Sequence, residues 1–170
     1  SARMPEALDA IESLLARGEL RAAEGALLAW LAENAPTAPA LHLAGLTALK
    51  RGDAEAARAA FEQATDLDPH YSRSLNNLAN MALAAGDLER ASQLYDRVGA
   101  CPSASITALL NRAFFLIRME RFADALAAFE AVLGKQPESA RASLGKAQAL
   151  RGLGSASEAA ALLAGAVARW

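Results

Sequence analysis

Residues able to do chemistry are few in this 170-residue chain, and their spacing assembles no catalytic or metal centre. His42 and His70 are the two histidines, and neither has a Cys or a second His at the short spacings a zinc site needs. His42 reads as a surface or interface histidine that could touch a ligand. His70 follows the Asp68-Pro69 turn and reads as structural or exposed. Cys101 is the single cysteine, which excludes an internal disulfide and any multi-cysteine zinc site. It reads as a small residue between helices rather than a reactive thiol, and a lone thiol accords with a reducing cytoplasm. Asp66 and Asp68 in DLDP offer paired carboxylates, but no Gly–Glu continuation of a calcium loop follows. The segment GLGSAS, Gly152 to Ser157, imitates a phosphate loop without the lysine of a Walker motif or a preceding strand. No G-x-S-x-G elbow and no Cys/His couple is present. The sequence therefore points away from an enzyme, and no cofactor or metal is expected.

Composition narrows the partners. The formal net charge is −2, from 17 Lys and Arg against 19 Asp and Glu. With no run of basic residues to hold a phosphate backbone, nucleic acid is not expected. Apolar stretches break well short of the ~20 residues that span a bilayer, so no membrane span is expected. Hydrophobic residues make up 54% and aromatics only 5%, so the apolar share is mostly alanine and leucine. These are strong helix formers, while residues favouring strands are scarce. An all-α class follows.

The elements that must position any site repeat with a period of 34. Repeats begin at Met4, Ala38, Ser72, Ile106 and Ala140 with no insertion between them. Their twentieth places are Ala23, Ala57, Ala91, Ala125 and Ala159; their twenty-fourth are Leu27, Phe61, Tyr95, Phe129 and Leu163. The eighth places are Ile11, Gly45, Ala79, Ala113 and Ala147. Small residues at the eighth and twentieth places let two helices approach closely, and the large residue four places on fills the space beside them. The fifteenth places, Gly18, Gly52, Gly86, Glu120 and Gly154, suit a left-handed turn between helices. Asp53 and Asp87 stand at N-cap positions, and Ser155 with Glu158 suggests a capping box. Pro36, Pro69, Pro102 and Pro137 close the first four repeats. The pattern predicts ten helices, near 4–17, 21–34, 39–51, 54–67, 72–85, 88–100, 104–118, 122–135, 139–152 and 156–169.

The stretch LHLAGLTALKRGDAEAARAAFEQATDLDP, from Leu41 to Pro69, resembles a tetratricopeptide repeat, and the resemblance extends over Met4 to Trp170. It departs from the family pattern at Ala7 and Ser143, where a larger residue is usual, and at Arg112 and Lys146, where Leu is usual. The resemblance implies a right-handed α-solenoid of five helix–turn–helix repeats, about ten antiparallel helices in one repeat domain over 1–170. Single repeats of this kind cannot bury their apolar faces alone and are stabilised by stacking.

In that family the first helix of each repeat lines a concave groove. Carried onto this sequence, the early groove places are Leu8, Asp9, Glu12, His42, Leu43, Leu46, Leu49 and Lys50. The later ones are Arg73, Asn76, Asn77, Asn80, Asn111, Phe114, Arg118, Arg141, Gln148 and Arg151. The later set is rich in amides and arginines and contains no acid. Asn77 and Asn111 hold the same place in successive repeats, where such proteins commonly contact ligand backbone. Side-chain amides both donate and accept, and Arg grips carboxylates bidentately. The expected peptide-binding residues are thus Arg73, Asn77, Asn80, Asn111, Phe114, Arg118, Arg141 and Gln148. The expected ligand is a protein or peptide segment of acidic or C-terminal carboxylate character. A carboxylate clamp of the kind some members carry finds only Asn80, Asn111 and Arg141, with Asn76 and Gly145 in place of a Lys and an Arg.

Two other roles remain open. Similar bacterial arrays precede catalytic domains such as sulfotransferases or oxygenases, so the chain could serve recruitment in a longer enzyme. The last helix, with Leu162, Leu163, Val167 and Trp170, offers an apolar surface for self-association. Trp30 reads as core.

Overall fold

The computed structural model describes residues 3–168, with side chains from residue 6 onward. Among the described residues there are ten α-helices: α1 (Arg3–Ala16), α2 (Leu20–Glu33), α3 (Ala38–Lys50), α4 (Ala54–Leu67), α5 (Ser72–Ala84), α6 (Leu88–Ala100), α7 (Ile106–Arg118), α8 (Phe122–Lys135), α9 (Ala140–Gly152) and α10 (Ala156–Val167). Every described helix lies within about two residues of the sequence expectation. The helices group into two compact bodies, Ser1–Arg97 and Val98–Trp170, with the division inside α6.

The repeat columns become the helix contacts. The alanines at the twentieth place are all sealed from solvent. Phe61 and Phe129, at the twenty-fourth place, are fully buried. In the N-terminal body a Cβ placed on Gly45 would meet the Phe61 ring at 2.4 Å. In the C-terminal body a Cβ on Gly145 would meet Phe129 at 2.2 Å. Absence of a side chain is what lets the Phe61 ring press against α3 and the Phe129 ring against α9. The N-terminal core gathers Leu8, Ile11, Leu15, Leu27, Trp30 and Leu43; the C-terminal core gathers Leu110, Leu116, Phe129 and Val132, extended by Leu150. Trp30 and Cys101 are both buried, as expected. Trp170 lies outside the described residues; on α10, Leu162 and Leu163 are half-buried and Val167 is exposed.

Turn chemistry follows the sequence with one exception in each direction. Gly18, Gly52, Gly86 and Gly154 all take positive φ, and Glu120 takes φ 57° in the equivalent turn, a conformation costly for a residue with a Cβ. The Asp53 side chain accepts from the Ala56 amide at 3.0 Å, and Asp87 accepts from the Arg90 amide at 2.9 Å. The capping box at Ser155 and Glu158 does not form: Ser155 makes no side-chain cap bond. Its ψ of 54° is far from the extended backbone of Ser105 and Ser139, both of which cap their helices. A short serine side chain has no slack to recover from that.

Candidate functional site

First helices α1, α3 and α5 carry the expected site residues of the N-terminal body, and there the polar groups are taken up internally. Arg73 Nη1 donates to Glu12 Oε2 at 3.3 Å, and Nη2 makes a second, short contact to Oε1. This fork ties α5 to α1. The expectation of an arginine set uninterrupted by acid therefore fails at Arg73. The second place of repeat three comes to lie against the ninth place of repeat one, which sequence adjacency does not reveal. Hydrogen bonding to Glu12 holds the Arg73 guanidinium further toward its charged form, against the opposing effect of burial.

Of the two expected settings, His42 takes the interface between repeats and not the surface. It is 1% exposed, with Nδ1 3.0 Å from Ser74 Oγ and its ring packed on Phe61 and Tyr71 at centroid distances of 5.4 and 5.5 Å. Its Nε2 is buried without a hydrogen-bond partner. Burial, and then the nearby Arg73 charge, lower its pKa to about 4, so the ring is neutral at ordinary pH. The Ser–His contact resembles a nucleophile–base couple, yet Ser74 is 0% exposed and cannot meet a substrate. It satisfies buried polar groups. Leu8 and Leu43 are buried as well, so much of the expected early groove belongs to the core.

On α5 the Asn77 amide nitrogen donates to the Arg73 carbonyl at 3.0 Å, leaving its carbonyl oxygen to accept. One turn further, Asn80 Oδ1 accepts from Tyr95 Oη at 2.5 Å, which leaves the Asn80 amide nitrogen to donate. Burial pushes the Tyr95 phenol up to about 12, so it remains a donor. A cavity of about 560 Å³ in this body opens among α4, α5 and α6, lined by Arg58, Leu78, Met81, Arg90 and Leu94 with others. None of the expected site residues lines it.

The C-terminal body presents its first helices α7 and α9 side by side. Phe114 packs edge-on against buried Phe129 at 5.0 Å between centroids, and the exposed Arg141 places its guanidinium carbon 5.6 Å from the Phe114 ring centroid. That is the geometry of a cation–π contact. Among the described residues no carboxylate pairs with Arg141 or Arg118, the described ion pairs lying elsewhere. Arg118 and Gln148 are exposed, and Asn111 and Phe114 are half-buried. The structure thus joins Phe114 to Arg141, and in the other body Arg73 to Asn77. Sequence reasoning missed Glu12, Tyr95 and Ser74 as partners of site residues. The one available signal was the opposite charge of Glu12 and Arg73 at facing repeat places.

Among the described residues, no group of three or more His, Cys, Asp and Glu could hold a metal ion, and no helix is long and apolar enough to cross a membrane.

The sequence profile of the tetratricopeptide repeat matches residues 42–105 and 116–170, well over half of the chain. The chain belongs to that family. No curated protein matches it in sequence. The solved structure of MamA is similar with a TM-score of 0.70 at 18% identity, covering 96% of this chain and 89% of that one. Pseudomonas aeruginosa PilF is similar at 0.73 and 21%, covering 95% and 77%. A tetratricopeptide repeat protein from Parabacteroides merdae is similar at 0.71 and 20%, covering 99% and 67%. These likenesses show the fold, an all-α solenoid of helix–turn–helix repeats. Family and fold together support a protein–protein interaction scaffold.

Proposed function

We propose that this scaffold binds an acidic peptide segment of a partner protein, with acid recognition on the α7–α9 face of the C-terminal body. The observation that carries this reading is Arg141 resting over Phe114 with no carboxylate of its own. A guanidinium held against an aromatic ring keeps its outer N–H groups free for a bidentate carboxylate. The ring beside it offers apolar contact to a neighbouring ligand side chain. Arg118 and Gln148 flank the pair and extend the donor set, and Asn111 stands on the same helix as Phe114. On the N-terminal body, Asn77 and Asn80 offer an acceptor and a donor one turn apart, a pattern that suits a peptide group. Arg73, already neutralised, contributes less.

Selection of a random peptide library with free C-termini tests this. Wild type should enrich acidic sequences, and Arg141→Gln or Phe114→Ala should abolish the enrichment. Enrichment of basic or purely apolar peptides, or unchanged selection by both variants, contradicts the reading.

A further inference from the structure

Arg73 and Arg141 hold the same place, the second, of repeats three and five, yet only Arg73 has a carboxylate. That carboxylate comes from Glu12, 61 positions earlier, through both of its oxygens. Both side chains remain about two-fifths exposed, so the pair sits where a ligand could reach it and compete. Glu12 engages Arg73 as an incoming Asp or Glu side chain would, and it does so intramolecularly, at an effective concentration no dilute ligand matches.

We propose that Glu12 is a specificity residue, a built-in stand-in for a ligand carboxylate that occupies Arg73 and keeps acidic segments off the N-terminal body. This rests on reading the first-helix faces as the binding surface. Three features support it. The contact is a fork, the arrangement in which Arg best satisfies a carboxylate. It joins α1 to α5 rather than neighbours on one helix, so it is a made contact and not an incidental surface pair. Finally, a second carboxylate brought to this place meets a neutral pair and the repulsion of Glu12, whereas at Arg141 it meets an uncompensated cation. Discrimination of this kind works by adding a cost against the wrong ligand rather than a gain for the right one.

The test is titration of a fluorescein-labelled hexaglutamate peptide into the full chain at low salt, followed by anisotropy. Glu12→Gln should tighten binding about three- to fivefold, the range expected for uncovering one exposed charge-assisted pair. The gain should vanish in the Glu12→Gln/Arg73→Gln double variant. Arg73→Gln alone should change wild-type affinity by less than about twofold, because a masked arginine contributes little. Glu33→Gln, which removes an equal charge from exposed Glu33 in the same body, should give no comparable gain. The proposal is overturned if Glu12→Gln binds no more tightly than wild type, if the gain survives loss of Arg73, or if Glu33→Gln reproduces it. Arg141→Gln in the same titration reports separately on the C-terminal site. Unchanged wild-type binding there would remove that site while leaving the Glu12 comparison decisive.

Discussion

The two bodies treat one arginine place in opposite ways. In the N-terminal body Arg73 is forked by Glu12, His42 is satisfied at one nitrogen by Ser74, and Asn77 and Asn80 of α5 each spend one group internally. In the C-terminal body Arg141 leans on Phe114 instead, at the ninth place of its neighbouring repeat, where repeat one has Glu12. Arg73 reaches back two repeats to an acid and Arg141 one repeat to an aromatic ring, which closes a polar network in one body and leaves a cation available in the other.

The largest test of that comparison concerns what the bodies share. Phe61→Ala and Phe129→Ala remove equivalent fully buried rings, and each should cost about 3–5 kcal/mol. Hydrogen exchange read peptide by peptide should show the loss concentrated in the mutated body, and a loss spread evenly over both would break the division. Acid comes next and should act on one body alone, since the sequence has no histidine after His70. His42 has its folded pKa lowered to about 4 from an ordinary 6.5, so between those values the unfolded chain binds more protons than the folded one. Stability is therefore complete above pH ~6.5 and falls as pH drops toward 4, by up to about 3 kcal/mol. Denaturant unfolding at pH 7.5 and 5 should show the N-terminal body weakening, and His42→Gln should flatten the response if the variant folds.

Smaller effects sharpen the picture at the turns. Asp53→Ala should cost about 1 kcal/mol for a lost cap, while Ser155→Ala, where no cap bond exists, should stay within a few tenths. Thermal melts of the two variants decide it. Glu120→Gly should stabilise by about 0.5 kcal/mol: relief of the strain at φ 57° outweighs the extra freedom glycine gives the unfolded chain.

Local pattern was legible in the residues and long-range pairing was not. Helix ends, the positive-φ turns and the sealed alanines follow from a 34-residue period in which each place has one physical task. Glu120 was visible as the odd member of a glycine column, and the structure keeps its turn at a cost. The Ser155 cap failed because capping depends on a backbone angle that residue type does not set. Assigning His42 to a groove failed because the repeat pattern fixes which helix a residue is on, not how far a neighbouring repeat covers it. Arg73 was read without its partner for the same reason, since Glu12 is two repeats away. Phe114 and Arg141, in adjacent repeats, were both selected from the sequence, though their contact was not.

The most direct test is to map hexaglutamate onto the ¹⁵N-labelled full chain by amide shift changes. Shifts centred on Phe114, Arg118, Arg141 and Gln148, with α1 and α5 quiet in wild type and α5 responding in Glu12→Gln, are the predicted result. Shifts that gather on α4 and α6, or on Arg73 in wild type, would contradict the account.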